Sequence, residues 1–243
     1  MDRATASDRQ VAGRRGARAA ALDVAGAGFV ADPAGALFDE AQGLLIVADL
    51  HLEKGSAYAA RRVLLPPYDT AATLARLRLL VLRYQPRVIA ALGDSWHDSG
   101  AGERLHDGDR ATLVELQQGR DWLWIAGNHD PAPPAGLGGE AHAEICCNGV
   151  TLRHEPRPGA IAGEIAGHLH PVARVASSRG TLRRRCFVAD GARCVMPAFG
   201  AYAGGLNLRD AAFQPLFGRR GCVAHVLGRD RVYAIGPGRC LGD

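Results

Sequence analysis

Short apolar runs that stop at a polar residue organise the chain from about residue 25 onward. Three of them, at 44–48, 88–92 and 122–126, are followed directly by Asp, Gly-Asp and Gly-Asn. Unbroken apolar runs of this kind are typical of strands that are buried on both faces. The pattern therefore predicts strands in the interior of a sheet, each with a polar residue at its carboxyl end.

Amphipathic segments lie between these predicted strands. The segment 71–85 follows Asp69 and Thr70, which can cap a helix, and it ends just before Pro86. A second amphipathic segment covers 109–118. Strands that alternate with helices are typical of βαβ units, so we expect a largely parallel sheet in this part of the chain.

The last part of the chain has a different pattern. Short strands are expected at 150–153 and 161–166, and each ends close to a histidine. Two hairpins are expected at 187–196 and 223–235, because paired apolar runs flank turn residues there. These elements predict either a mixed sheet or a second sheet that completes the same domain.

Length and composition favour one globular unit. The chain has 243 residues, of which 47% are hydrophobic and 22% charged, enough for one core without disulfides or a structural metal. Residues 1–24 are rich in Ala and Arg and lack apolar periodicity, so we expect a disordered extension there and a single domain over 25–243. A nucleic-acid-binding arm is an alternative interpretation of the extension.

Charge, hydropathy and cysteine spacing narrow the class of protein. A net charge of +4 permits a polyanionic partner without demanding one. The longest apolar runs fall far short of the ~20 residues that a membrane span needs, so we expect no contact with a membrane. The six cysteines include no pair at two-residue spacing, and no export signal precedes them. We therefore expect reduced thiols and a cytoplasmic location.

Possible metal ligands follow five of the apolar runs. Ligands of α/β proteins bind beyond the carboxyl ends of strands, where the loops converge. In an extended chain, residues two positions apart point to the same side, so Asp49 can converge with His51, and His168 with His170. Each motif alone is common, but together they predict a metal centre. The polar residues after these runs are Asp49, His51, Asp94, Asn128, His129, Asp130, His154, His168 and His170.

These motifs resemble those of the calcineurin-type binuclear metallophosphoesterases. The matching elements are Asp49-x-His51, Gly93-Asp94, Gly127-Asn128-His129-Asp130, His154 and Gly167-His168-x-His170. The longer strings at 50–55, 65–70, 93–98 and 197–207 are similar to the ligase-associated DNA-damage-response endonuclease (PdeM) family. The resemblance covers about residues 25–235. It implies an α/β fold of the metallophosphoesterase type, an αββα sandwich in which two mixed β-sheets are flanked by helices.

The resemblance also implies a centre of two divalent metal ions. Asp94 would bridge the two ions, and manganese would be the working metal of the endonuclease branch. The ligand types themselves leave iron, cobalt and zinc open. The resemblance assigns one ion to Asp49, His51, Asp94 and His170, and the other to Asp94, Asn128, His154 and His168.

Further residues receive roles from the same resemblance or from their position. The resemblance implies that His129 is not a ligand but a general acid or a stabiliser of the transition state. Asp130 could orient its ring. Lys54, Arg61, Arg62 and His97 follow the first two ligand-bearing strands and are candidates for binding substrate phosphates. For the two arginines, solvated loop charges are an equally good interpretation.

The leading hypothesis is a metal-dependent DNA endonuclease of DNA repair that hydrolyses phosphodiesters with a hydroxide held by two metals. Single-stranded or distorted DNA is the expected substrate, because the chain has no base-reading motif. The resemblance suggests association with DNA ligase, nuclease and helicase repair proteins. The alternatives are a small-molecule phosphodiesterase, a nucleotide pyrophosphohydrolase, a phosphatase, or a non-catalytic scaffold that binds a repair partner.

Overall fold

A computed structural model describes residues 19–130, 136–178, 180–217 and 221–243. In these ranges two β-sheets pack face to face, and α-helices cover the outer face of the first sheet. The helices are α1 (Lys54–Ala60), α2 (Asp69–Tyr84), α3 (Ala101–Arg104) and α4 (Asp107–Gln117), with 3-10 turns at Ala211–Phe213 and Pro237–Arg239.

The first sheet has seven strands in the described part of the chain, and their spatial order follows the sequence. The first four are joined by antiparallel pairing, whereas β4 to β7 run parallel. The strands are β1 (Ala20–Val24), β2 (Ala27–Ala31), β3 (Leu37–Asp39), β4 (Leu44–Ala48), β5 (Val88–Leu92), β6 (Asp121–Ile125) and β7 (Glu140–His142).

The second sheet has nine strands within the described ranges. Seven of them follow the order β15-β14-β12-β13-β10-β9-β8, while β11 pairs with β12 and β16 with β11. The strands are β8 (Glu144–Cys147), β9 (Val150–Arg153), β10 (Glu164–Ala166), β11 (Val172–Ser177), β12 (Gly180–Ala189), β13 (Arg193–Val195), β14 (Val223–Leu227), β15 (Val232–Ile235) and β16 (Cys240–Leu241).

Alternation of side chains along the strands builds separate apolar layers. Leu45 and Val47 of β4 pack under α2, whereas Leu44 and Ile46 face the second sheet. The layer between the sheets also contains Phe187 of β12. Because both faces of β4 are covered, its five residues are all buried, which explains the unbroken apolar run in the sequence.

The predicted α/β fold with two mixed sheets is confirmed. Helices α2 and α4 lie within two residues of the predicted segments, and β4, β5 and β6 are parallel neighbours. Both predicted hairpins form, since β12 pairs antiparallel with β13 and β14 with β15.

The layer outside the second sheet is thinner than the αββα pattern implies. In the described ranges it contains no α-helix. The loop side chains Leu208 and Leu216 and Phe213 of the 3-10 turn cover this face. No described helix is both long and apolar enough to span a bilayer.

The prediction of a disordered extension over residues 1–24 is wrong for residues 20–24. Residues 20–24 form β1, which pairs with β2 along its whole length. Leu22 and Val24 are buried, but a stretch so rich in alanine hides this alternation in the sequence. The remainder of the predicted extension, residues 1–18, lies outside the described residues.

Candidate metal centre

The carboxyl ends of strands from both sheets meet at one edge of the sandwich. Parallel β4, β5 and β6 are followed by Asp49, Asp94 and Asn128. In the second sheet, parallel β9 and β10 are followed by His154 and His168. Parallel neighbours end at the same sheet edge, so five separate chain segments deliver polar side chains to one region.

The first cluster of this region consists of Asp49, His51 and His170, whose ligand atoms lie within 4.8 Å of one another. The His170 Nε2 atom is 3.1 Å from Asp49 Oδ1 and 3.3 Å from His51 Nε2. Asp49 and His51 are buried, and His170 is half-buried. The ligand atoms of one carboxylate and two imidazoles are thus close enough together to bind a single cation.

The second cluster consists of Asp94, His154 and His168, again with all ligand atoms within 4.8 Å. His154 Nε2 lies 3.1 Å from His168 Nδ1 and 3.5 Å from Asp94 Oδ1. The Nδ1 atom of His154 is 3.1 Å from the carbonyl oxygen of Leu92. A carbonyl only accepts, so Nδ1 carries the hydrogen and the lone pair of Nε2 faces the cluster.

The protonation states of the clusters suit a metal. Burial, aided by the neighbouring His170, lowers the pKa of His51 to about 3. Burial, followed by the charge of His154, also lowers the pKa of His168. These imidazoles are neutral at pH 7, and neutral imidazole with carboxylate is a donor set for divalent zinc, manganese, iron or cobalt. The two clusters fit a binuclear centre.

The backbone at the centre is unusual. Five non-glycine residues of the two clusters adopt positive φ, between 44° and 69°. Each such residue costs about 1–3 kcal/mol, and such strain concentrates at functional sites. The two doublets are therefore not extended, and left-handed turns aim their side chains. The doublet His168 and His170 is divided between the clusters rather than aimed at one point. The five residues are Asp49, His51, Asp94, His168 and His170.

The segment after β6 lies directly against Asp94. The backbone N–H of His129 donates to Asp94 Oδ1 over 2.9 Å. This contact places the peptide of Asn128 and His129 beside the second cluster. Asn128 is therefore positioned next to the carboxylate with which it is expected to share a metal ion.

His129 is oriented by a carbonyl rather than by the carboxylate expected from the sequence. Its Nδ1 atom lies 2.9 Å from the carbonyl oxygen of His97, so Nδ1 carries the hydrogen and Nε2 points toward Asp94, 3.9 Å from Oδ2. Asp130 instead accepts a hydrogen bond from the Trp96 N–H over 3.0 Å. Burial raises the pKa of Asp130 to about 7. Asp130 thus holds the loop after β5.

The four residues expected to bind phosphate differ in burial and in their contacts. Lys54 is half-buried at the start of α1 and donates to the carbonyl oxygen of Tyr202 over 3.1 Å. The ring of His97 stacks against His129, with 5.6 Å between ring centroids. Arg61 and Arg62 are exposed beyond the end of α1. All four lie on the side of the centre formed by the loops after β4 and β5.

Close glycine contacts at the ligands were missed in the sequence. A Cβ atom on Gly167 would lie 2.4 Å from Asp49 Oδ2, and one on Gly127 would lie 2.1 Å from the backbone nitrogen of Asp94. Gly127 directly precedes Asn128, and Gly167 directly precedes His168. These positions within the ligand motifs are the sequence signal that could have indicated the close contacts. The absence of a side chain lets each backbone approach a carboxylate-bearing residue.

Replacing Gly167 by alanine is expected to weaken metal binding by about 10- to 100-fold, because the added methyl group displaces the Asp49 carboxylate. The clash also costs about 1–3 kcal/mol of folding stability. Titration with Mn²⁺ measures the first effect and thermal unfolding the second. Gly204→Ala is the matched control, since a Cβ atom there meets nothing within 4 Å. Equal metal affinity in the two variants would contradict the expectation.

Acid is expected to destabilise the metal-free protein. Burial is the largest cause of the lowered pKa values of His51, His97, His168 and His225. The unfolded chain therefore takes up more protons than the folded one as pH falls below about 6.5, and stability is lost in that direction. The raised pKa of Asp130 has the opposite effect, because the folded protein binds this proton more readily than the unfolded chain does. It is a single carboxyl group against four histidines. The thermal unfolding midpoint of chelator-treated protein should decrease as the pH is lowered from about 7.5 to about 5.5. A midpoint that stays constant or rises over this range would refute the expectation.

Comparison with solved structures finds proteins that are similar to this chain. A Pseudomonas putida nuclease named MPE has a similar crystal structure, with a TM-score of 0.68 and 27% sequence identity. The alignment covers 89% of this chain and 100% of that chain. A phosphoesterase of E. coli named Yfce has a TM-score of 0.39 and 11% identity over 79% of this chain and 97% of that one. No protein-family model and no curated protein matches this chain.

Proposed function

We propose that the chain is a metallophosphoesterase, a metal-dependent phosphodiesterase whose substrate is DNA. The observation that carries the proposal is the pair of clusters at the joined edge of the two sheets. The nuclease among its structural neighbours supports a nucleic-acid substrate over a small molecule.

Seven residues would hold the two metal ions. The composition of the clusters supports Asp49, His51 and His170 for one ion, and Asp94, His154 and His168 for the other. Asn128 is proposed as a further ligand, because the peptide that joins it to His129 lies against Asp94. Asp94 would bridge the ions. When bound, two divalent ions supply an activated water at neutral pH and offset the charge of the phosphodiester.

His129 is the proposed general acid. The His97 carbonyl fixes the hydrogen on Nδ1, which leaves Nε2 as the atom that faces the centre. Nε2 of a protonated ring can donate its proton to the leaving oxygen of the substrate. The ring is accessible for this role, because 47% of the His129 side chain is exposed.

Lys54 and His97 are proposed to bind the phosphate next to the centre. Burial is the largest cause of the lowered pKa values of His51 and His97, and the positive charge of Lys54 lowers both pKa values further. The ammonium group of Lys54 therefore acts on the histidines of the centre. Its hydrogen bond to Tyr202 holds the ammonium in a defined position. Arg61 and Arg62 are proposed to bind phosphates farther along the strand.

The nicking of circular single-stranded DNA by purified protein tests the proposal. Protein loaded with Mn²⁺ is expected to convert the circle to linear fragments and to hydrolyse bis(4-nitrophenyl) phosphate, while a chelator abolishes both reactions. Hydrolysis of the small diester without cleavage of DNA would leave a phosphodiesterase and refute the DNA substrate. Hydrolysis of neither would refute the activity.

The role in repair, manganese as the working metal, cooperation with ligase, nuclease and helicase proteins, and the cytoplasmic location belong to the same proposal. They rest on the sequence resemblance and the cysteine pattern. The metal is open to direct test, since activity with Mn²⁺ can be compared with that of Fe²⁺, Co²⁺ and Zn²⁺ at equal occupancy.

A further inference from the structure

An exposed loop beside the metal centre carries apolar side chains that face solvent. This loop, residues 61–68, joins α1 to α2 and is called the tip loop below. Leu64 is 88% exposed, the highest value of any large apolar side chain in the described ranges, and Tyr68 is 68% exposed. Val63 next to Leu64 is 49% exposed. A cluster of exposed apolar groups next to a functional site marks a surface that contacts a partner.

Hydrogen bonds join the helix that precedes the tip loop to the helix that follows it. The Gly55 N–H donates to Asp69 Oδ2 over 3.0 Å, and the Glu53 N–H donates to Thr70 Oγ1 over 2.8 Å. The Thr70 hydroxyl in turn donates to Glu53 Oε1. The start of α1 is thereby tied to the start of α2. The apolar tip is presented on a fixed base instead of being folded onto the core.

The charged residues of α1 and the tip loop are all positive. From Lys54 to Tyr68 the chain contains three cations, Lys54, Arg61 and Arg62, and no acidic residue. The charge of Arg61 reaches the centre, where it contributes to the lowered pKa of His97 behind the larger effects of burial, Lys54 and His129. Cations therefore extend from the metal clusters to the apolar tip.

A partner of this surface must offer apolar faces and regularly placed negative charge. Single-stranded DNA has both, since its unstacked bases expose flat faces and its phosphates are anionic. In a regular duplex the base faces are covered by stacking. Tyr58 extends the apolar surface inward, with its ring 5.7 Å from the ring of His97.

We propose that the tip loop binds unpaired bases of the DNA strand through Leu64 and Tyr68, while Arg61 and Arg62 contact its phosphates. This inference rests on the proposed function and gives the centre a preference for single-stranded or distorted DNA. The tip loop supplies binding energy from the bases flanking the cut, and it takes no part in the chemical step.

The test compares Mn²⁺-loaded variants in the cleavage of a single-stranded oligonucleotide and of the same strand with abasic positions around the cut. Leu64→Ser and Tyr68→Ser are each expected to raise KM for the normal strand about tenfold with little change in kcat, because each loses contact with a base. On the abasic strand the wild type should already show the higher KM, and the two substitutions should add little. Arg61→Ala should raise KM on both strands.

Leu79→Ser is the matched control, since Leu79 is 64% exposed on the outer face of α2. It should leave KM within about twofold of the wild type, and Tyr68→Phe should restore the wild-type KM. The inference is overturned if Leu64→Ser and Tyr68→Ser match the control, as expected for a loop that binds a protein instead. An equal loss on both strands also overturns it. A wild type that hydrolyses bis(4-nitrophenyl) phosphate but cuts neither strand refutes the DNA substrate itself, a result distinct from the other two.

Discussion

Replacing Asp94 by asparagine is expected to remove most of the bound metal and to lower phosphodiester hydrolysis by about 10³-fold or more. Asn keeps the shape of the side chain and its contact with the His129 N–H at 2.9 Å, but it lacks the negative charge. Asp94 is the carboxylate of the second cluster and the proposed bridge between the two ions. Elemental analysis of the purified protein gives the metal content per chain, and hydrolysis of bis(4-nitrophenyl) phosphate gives the rate.

Asp98→Asn is the control for this experiment. Asp98 lies four residues farther along and forms an ion pair of 2.5 Å with Arg104, outside both clusters. This variant should keep two metal ions per chain and most of the activity. An Asp94→Asn protein that retained two ions and a rate within about tenfold of the wild type would exclude Asp94 as the bridge.

Replacing His129 by alanine is expected to leave both metal ions in place while lowering kcat by about 10²- to 10⁴-fold, the range for loss of a general acid. The ring makes one hydrogen bond through Nδ1 and is half-exposed, so its loss should not disturb the clusters. Metal content and kcat at saturating Mn²⁺ are the two measurements.

The leaving group distinguishes a general acid from a residue that only positions the phosphate. A 4-nitrophenolate leaving group needs little protonation, so the effect of His129→Ala should be much smaller on such an ester than on DNA. His142→Ala provides the control, because His142 contacts Glu140 on β7 and belongs to neither cluster. Unchanged turnover on DNA in a metal-replete His129→Ala protein would refute the role.

Much of the fold could be predicted because its main strands are buried on both faces. The run 44–48 becomes β4 with every residue buried, and the segment 71–85 becomes the greater part of α2. Strands without such a signal were missed. Residues 20–24 form β1, although their alanines show little contrast between inward and outward positions. Helix α1 has only seven residues, and its N-cap Glu53 makes no side-chain capping bond, so no capping pattern marked its start.

The polar residues that follow the strands predicted a metal centre, and the resemblance implied its division into two ligand sets. The sequence did not predict the backbone conformations and hydrogen bonds that bring these side chains together. Extended doublets were expected, but Asp49 and His51 lie in left-handed turns. Likewise the expected contact between Asp130 and the His129 ring is replaced by the His97 carbonyl. Backbone turns and carbonyl directions depend on neighbouring segments, which local sequence does not specify.

The amino-acid sequence by itself determined which residues stand at the ends of buried strands, since apolar runs and the polar residues after them are local features. Tertiary structure decided how closely those residues meet and through which atoms, in the two groups that the resemblance implied. His51 meets His170 across 119 positions, and His154 rather than His170 meets Asp94. It also decided that Leu64 and Tyr68 face solvent. The physical reason is that sheet pairing and packing bring distant segments together, and exposure is a property of the packed molecule.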